Sequence, residues 1–255
     1  MYLTDVNWDL FKGIMVVGDI HANYHALVDA VRYANEHHYY LLFLGDFVDG
    51  ESQPAETVAL VVKLLNCGLA SSIIGNHEHK FYRYFIGHDV KMKGAQIQTL
   101  HDAGDIELFR NSMIELVEHK RSSHVIVFKN AIFAHGAVHR SCWGDLDGSK
   151  LQRNTCWYGE VSSKEHDAEG YKLRTYGWVE HIPERHITVT GHDCTAMGKS
   201  KTKPAIVKHK NGGTSYFIDT SCGKLKTNGR KLTAALFAVN IVSEVIEFDK
   251  FVEFE

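Results

Sequence analysis

The residues with the most chemical promise in this 255-residue chain are carboxylates, imidazoles and one carboxamide, each placed directly after a short apolar run. Asp19 and His21 follow Ile14-Met15-Val16-Val17, and Asp46 and Asp49 follow Leu41-Leu42-Phe43-Leu44. Asn76 and His77 follow Leu69 to Ile74, His135 follows Ala131 to Ala134, and His192 follows Ile187 to Thr190. Apolar runs of this length read as buried strands, and the ends of such strands are where open α/β sheets gather their ligands. Asp and His two apart in an extended segment point to the same side, so Asp19 and His21 can reach one cation. Any one of these residues could be a cap or a core histidine; five strand ends that all deliver ligand types are not explained that way. The donors are oxygen and nitrogen, with no cysteine among them, which suits Mn²⁺, Fe or Zn²⁺. A carboxylate shared by two cations about 3.5–4 Å apart is the two-metal arrangement for phosphoryl chemistry.

The elements that must position these residues alternate in kind. A strand over Ile14 to Val17 is followed by helical spacing over Asn23 to Glu36, with Ala26, Leu27, Ala30, Val31 and Ala34 on one face and Asn23 as N-cap. After the strand Leu41 to Leu44, Pro54 opens a helix whose stripe is Val58, Val61, Val62 and Leu65, and Gly68 ends it. Leu69 to Ile74 is the third strand. This β-α-β-α-β run predicts parallel strands with right-handed crossovers. Lys80 to Lys120 reads as mostly helical, and Val125 to Phe128 with Ala131 to Ala134 as a hairpin turning at Lys129-Asn130. Trp143 to Arg185 reads as loops with short helices. Ala205 to Val207, Tyr216 to Ile218, Leu232 to Val239 and Ile241 to Phe248 read as antiparallel strands, and the acidic stretch Glu244 to Glu255 as an edge strand and chain end. No repeat, linker or low-complexity segment marks a boundary, so the expectation is one α/β domain over residues 1–255.

Composition narrows the setting. With 44% hydrophobic and 23% charged residues the chain has an ordinary globular make-up. A net charge of −3 argues against binding polyanions by bulk electrostatics. Five cysteines (Cys67, Cys142, Cys156, Cys194 and Cys222) without a C-x-x-C spacing point to free thiols in a reducing compartment, not to a disulfide framework or a structural zinc site. The start carries no basic and apolar leader pattern and no apolar run approaches membrane-spanning length, so the expectation is a cytoplasmic protein with no membrane partner. Seventeen histidines are the compositional oddity.

The blocks Gly18-Asp19-Ile20-His21, Gly45-Asp46-Phe47-Val48-Asp49, Gly75-Asn76-His77-Glu78, Ala134-His135-Gly136 and Gly191-His192 resemble, in order and spacing, the signature of the calcineurin-like metallophosphoesterases, and within them the phosphoprotein-phosphatase branch. The resemblance covers about Ile14 to Phe237. It implies a two-sheet β-sandwich flanked by helices, where the strand and helix pattern alone suggests a simple doubly wound sheet. It implies two divalent metal ions, most readily Mn²⁺, with Asp19, His21 and Asp46 holding one and Asp46, Asn76, His135 and His192 the other, so that Asp46 bridges. It implies His77 as general acid for the leaving group and Asp49 as the residue that orients it. In such a centre a bridging water acidified by two cations attacks phosphorus in line, and a histidine held by a carboxylate protonates the departing oxygen.

Finer similarity separates branches. Tyr158-Gly159-Glu160, Glu169-Gly170, Arg174 and Trp178 are similar to a block of bacterial dinucleoside-tetraphosphatases and of the phosphatase module of polynucleotide kinase-phosphatases. Ile218-Asp219-Thr220 with Leu232-Thr233-Ala234 is similar to the closing block of that group, which implies Asp219 close behind the metals. Two departures stand out. The family's Asp-Arg-Gly is Asp49-Gly50-Glu51 here, so the arginine that clamps the substrate phosphate is missing, and Arg174 or Arg140 is the candidate replacement. Asp193 follows His192 where threonine is usual, which adds negative charge at the metal rim.

Between Lys199 and Lys231 stand Lys199, Lys201, Lys203, Lys208, Lys210, Lys224, Lys226, Arg230 and Lys231 against one acid, Asp219, either a solvated surface or a guide for a polyanionic substrate. The branch resemblance makes hydrolysis of phosphomonoesters, as by a Ser/Thr protein phosphatase, the default expectation. The alternatives are a dinucleoside polyphosphate hydrolase or polynucleotide phosphatase, and a catalytically weak phosphate-binding module. The partner is accordingly a phosphoprotein or a nucleotide or polynucleotide end.

Overall fold

The computed structural model describes residues 1–166, 172–223 and 230–255. After a short 3-10 helix, Trp8–Leu10, come strand β1 (Gly13–Val17), helix α1 (Tyr24–Glu36), β2 (Tyr39–Phe43), α2 (Pro54–Asn66) and β3 (Ala70–Ile73). The Asn23 side chain accepts from the Ala26 amide to cap α1, and Pro54 occupies the first turn of α2, where its missing N–H costs nothing. β1, β2 and β3 pair in parallel, as expected for two right-handed crossovers. Because the three strands add in one direction, both crossover helices fall on the same face, and the opposite face of the sheet needs another cover.

A second sheet supplies it. Helices α3 (Asn76–Phe85), α4 (Ala95–Asp102) and α5 (Ile106–Glu118) lead to β4 (Ser122–Ser123) and to the hairpin β5 (Val125–Phe128) and β6 (Ala131–Ala134). Helix α6 (Lys150–Tyr158), β7 (Glu160–His166), β8 (Lys172–Thr175), β9 (Ile187–Thr190), β10 (Ala205–Lys208), β11 (Thr214–Phe217), β12 (Leu232–Asn240) and β13 (Val245–Phe254) follow. One sheet runs β13-β12-β1-β2-β3-β4, the second β10-β11-β9-β6-β5, and among the described residues β7 pairs only with β8. The α/β sandwich is thus the arrangement that the family resemblance implies, and the doubly wound sheet is corrected.

Side-chain alternation shows why the inner strands are apolar throughout. In β1, Ile14 and Val16 face the second sheet with Leu42, Phe133, Val189 and Phe237, while Met15 and Val17 face the helices with Leu27, Val58, Val61 and Met113. A third apolar cluster lies behind the second sheet, where Ile132 and Phe217 meet Cys142, Cys156 and Trp178. β12 also joins β1, antiparallel, on the side away from β2.

Several boundaries differ from the expectation. The helix expected from Lys80 starts at Asn76, and residues 86–94 are not helical. Residues 241–244 form the turn between β12 and β13, not the start of a strand, and β13 is the edge strand expected of the acidic stretch. The segment read as loops with short helices contains α6 and the β7–β8 hairpin. All five cysteines are free, and no helix among the described residues is long and apolar enough to cross a membrane.

Candidate metal centre

The carboxyl ends of β1, β2 and β3 in one sheet and of β6, β9 and β11 in the other converge, and each hands a polar residue to the same place: Asp19 and His21, Asp46 and Asp49, Asn76 and His77, His135, His192 and Asp219. The ligating atoms of His21, Asp46 and His77 lie within 4.8 Å of one another, as do those of Asp46, His135 and His192. Asp46 therefore belongs to both groups. One of its oxygens, Oδ2, is 3.2 Å from His135 Nε2, 3.6 Å from His77 Nε2 and 4.0 Å from His21 Nε2.

The loops that do this are sharply bent. His21, Asp46, Asp49 and His192 all have positive φ (48°, 53°, 67° and 63°). The extended-segment argument for Asp19 and His21 is thereby corrected: a left-handed turn at His21, not strand alternation, brings its Nε2 to 3.9 Å from Asp19 Oδ2. Non-glycine residues in that region store strain of order 1–3 kcal/mol each and cluster at functional sites. The backbone amides of Ile20 and His21 both donate to the Asp46 carbonyl, which ties the first two loops together.

The least expected member is Glu78, fully buried. Its carboxylate accepts from the amides of Gly75 (3.0 Å), Asp46 (2.8 Å) and Phe47 (2.7 Å), fixing the start of α3 against the Asp46 loop. An acid three residues after the cap glycine is the capping-box spacing, the one sequence signal that could have found it. Gly75 itself has no room for a side chain, since a Cβ would lie 2.2 Å from Asp46 Oδ1.

Ring orientation is set by the partner of each Nδ1. His21 Nδ1 lies 3.0 Å from the Val48 carbonyl and His135 Nδ1 2.8 Å from the Leu44 carbonyl. A carbonyl only accepts, so each Nδ1 carries a proton and Nε2 is turned toward Asp46, the arrangement found behind metal-bound histidines. His77 is held differently: Nδ1 donates to Asp49 Oδ2 at 2.5 Å. Asp49 is in turn steadied by the Thr99 hydroxyl (2.7 Å) and the Gln96 amide (3.1 Å) of α4, two residues that sequence reasoning did not single out. Asn76 Oδ1 lies 3.0 Å from His135 Nε2, and the His192 amide donates to both oxygens of Asp19 at 3.0 Å.

The electrostatics favour a cation. Burial pushes the Asp46 carboxyl up, but the surrounding imidazoles of His135, His77 and His21 hold it well below the usual range. Burial, then the Asp219 carboxylate, push Asp19 well above it. Burial depresses His77 and His135, yet Asp46 and its neighbours raise them to about 9 and about 10. These buried carboxylates require positive charge, which imidazolium protons supply and which divalent cations would supply in their place. Asp219 is buried, and its Oδ2 has no hydrogen-bond partner among the described residues. The donor set and this orphaned oxygen both fit a pair of borderline or hard divalent cations.

Two expectations change at the rim. Asp193 does not add free negative charge: it accepts from the Tyr176 hydroxyl (2.7 Å) and the Thr195 amide and hydroxyl (2.9 Å each), and pairs with Arg174 Nε at 3.5 Å. Arg174, at the exposed end of β8, donates through Nη2 to His192 Nε2 (2.8 Å) and through Nη1 to the Tyr158 carbonyl (2.9 Å), which places it on the cluster. Arg140 is exposed on another short 3-10 helix, Arg140–Trp143, and lines a cavity beside α6. At Gly50 a Cβ would lie 2.3 Å from the His21 carbonyl and 2.6 Å from that of Gly223, so the turn after Asp219 fills the space an arginine stem would need.

The remaining block residues are structural or fall outside the described residues. Trp178 is core, with its amide on Glu160 (3.2 Å), and the Thr220 hydroxyl joins Thr233 (3.0 Å). Glu169, Gly170, Lys224 and Lys226 lie outside the described residues. In the basic stretch, the Lys199 ammonium is anchored by the carbonyls of Cys194, Ser200, Lys203 and Asp219, and Lys231 pairs with Glu255 at 2.7 Å.

A model described as calcineurin-like phosphoesterase matches residues 13–195. An asymmetrical bis(5'-nucleosyl)-tetraphosphatase PrpE of Oceanobacillus iheyensis is 27% identical over 241 residues, covering 88% of each chain. One of the same name from Geobacillus thermodenitrificans is 25% identical over 224 residues, covering 82% of this chain and 85% of its own. A crystal structure described as a candidate diadenosine tetraphosphatase superimposes with a TM-score of 0.57 at 18% identity, covering 100% and 97%. A Saccharomyces cerevisiae protein serine/threonine phosphatase does so with a TM-score of 0.57 at 15% identity, covering 98% and 83%.

Proposed function

The chain belongs to the calcineurin-like phosphoesterase family and is a hydrolase of phosphoester bonds; on that premise we propose that it cleaves dinucleoside polyphosphates, with diadenosine tetraphosphate as the model substrate. The observation that carries the chemistry is Asp46, whose carboxylate is grouped with His21 and His77 on one hand and with His135 and His192 on the other, His77 Nε2 lying 3.6 Å from its Oδ2. The relatives named as tetraphosphatases support the substrate class over most of their length. The phosphoprotein default has a likeness of fold behind it and nothing more specific. The catalytically weak module rested on Gly50, and the arginine it lacks has a counterpart in Arg174.

In this reading Asp19, His21 and Asp46 would hold one divalent cation, and Asp46, Asn76, His135 and His192 the other. Two cations there would supply Lewis acidity that activates water and takes up phosphoryl charge. His77 keeps a proton on Nε2 because Asp49 holds its Nδ1 proton and the surrounding carboxylates stabilise the imidazolium; it delivers that proton to the leaving oxygen. Arg174 offers a planar fork for the non-scissile phosphates, the role that glycine at position 50 leaves empty. Asp219 and Glu78 act behind the ligands as positioning residues.

The test is a parallel assay with Mn²⁺ of diadenosine tetraphosphate, a phosphoserine peptide and a 3'-phosphorylated oligonucleotide. The expected result is the highest kcat/KM on diadenosine tetraphosphate. Hydrolysis of the phosphopeptide with no cleavage of the tetraphosphate would overturn the reading.

A further inference from the structure

A cavity of about 660 Å³ opens beside the candidate metal centre, between the end of α6, the start of β7 and the short helix carrying Arg140. Its volume is in the range of about 300–1,000 Å³ typical of small-ligand sites. Tyr158, Leu151 and Val161 give it an apolar side, and all three are exposed (42%, 63% and 44%), which core packing does not require. Arg140, Asn154 and Glu160 give it polar groups. The wall it shares with the metal centre is Tyr158-Gly159. Gly159 packs against Gly136, where a Cβ would lie 2.4 Å from the Gly159 amide nitrogen, and Gly136 directly follows His135. The Arg174 guanidinium spans that wall, bonded to the Tyr158 carbonyl on one side and to His192 on the other.

We infer that this cavity is a nucleoside-binding subsite. The inference rests on the proposed dinucleoside polyphosphate reading and specifies how such a substrate is held. A phosphate chain leaving the Asp46 cluster meets Arg174 first, and Arg140 lies at the cavity beyond. The nucleoside at the end of that chain then reaches an aromatic ring on which a base can stack, which is tolerant of base identity because every base offers a π face. Asn154 and Glu160 are of the types that hydrogen-bond sugar hydroxyls and base edges.

The test measures binding separately from hydrolysis. Protein reconstituted with Mn²⁺ is titrated calorimetrically with adenosine 5'-monophosphate and with inorganic phosphate. Adenosine monophosphate is expected to bind about ten-fold more tightly or better, a gain of the size that one stacked base supplies. Tyr158→Ala and Leu151→Glu, both at exposed positions, are expected to abolish that difference. The same variants are expected to lower kcat/KM for diadenosine tetraphosphate about ten-fold relative to that for p-nitrophenyl phosphate. Equal affinities for the two ligands in the unaltered protein, or an adenosine preference that survives both substitutions, overturns the subsite. A protein that fails to cleave diadenosine tetraphosphate but shows the adenosine preference, lost in the variants, keeps the subsite and overturns the hydrolase reading beneath it.

Discussion

At the scale of single residues, His77 and Gly50 carry the sharpest consequences. His77→Asn removes the proton that a strongly basic leaving oxygen needs, so kcat on phenyl phosphate should fall by about 10²–10⁴. The loss on p-nitrophenyl phosphate and on diadenosine tetraphosphate, whose nitrophenolate and phosphate leaving groups need little protonation, should be much smaller; steady-state kinetics on these substrates separates this role from simple loss of metal. Gly50→Arg, the substitution that restores the family's usual arginine, should fail as a repair. Its Cβ collides with the carbonyls of His21 and Gly223, and overpacking of that kind costs about 1–3 kcal/mol, readable as a lower urea midpoint. Glu78→Ala leaves three buried amides without an acceptor and should cost at least about 3 kcal/mol in the same measurement. Asp19, Asp46 and the histidines were legible because their side-chain types are costly to place at strand ends without a purpose. The left-handed turn that aims His21 was not, because a histidine at φ 48° leaves no mark in the pattern. Glu78 is marked only by its capping-box spacing from Gly75, since its partners are backbone amides.

At the scale of elements, the chain divides the work between rigid strands and a few supports. The crossover helices were legible from Asn23, Pro54 and the apolar stripes, since caps and 3.6-residue spacing are local properties. That the second face of the sheet is covered by another sheet is not local, and only the family resemblance carried it. The β7–β8 hairpin escaped because Ser162-Ser163-Lys164-Glu165 in β7 buries nothing and so shows no alternation. Yet β8 brings Arg174 to His192. Arg174→Lys keeps the charge and loses the fork, so KM for diadenosine tetraphosphate should rise about ten-fold with kcat little changed. α4 reaches the site through Thr99 and Gln96, which lock Asp49 behind His77. Its worth lies in holding one ring within hydrogen-bond geometry of a departing oxygen.

At the scale of the whole molecule, the centre lies where the loops of the two sheets meet. Asp19, Asp46 and His77 come from the first sheet's loops, His135, His192 and Asp219 from the second's. Cations bound between them would tie the sandwich together in the folded state alone, so Mn²⁺ should raise the melting temperature and a chelator should lower it, in proportion to the logarithm of free metal. With a net charge of −3, approach of a polyanion depends on local fields, to which Arg174 on the cluster and Arg140 at the adjoining cavity contribute. The central claim is that Asp46 is shared by two cations. Its most direct test is elemental analysis of bound Mn²⁺ after equilibrium dialysis of the unaltered protein and of Asp46→Asn. Two ions per chain in the former and fewer than one in the latter, with hydrolysis lost, is the result expected. Two ions retained in Asp46→Asn, or none in the unaltered protein, would contradict it.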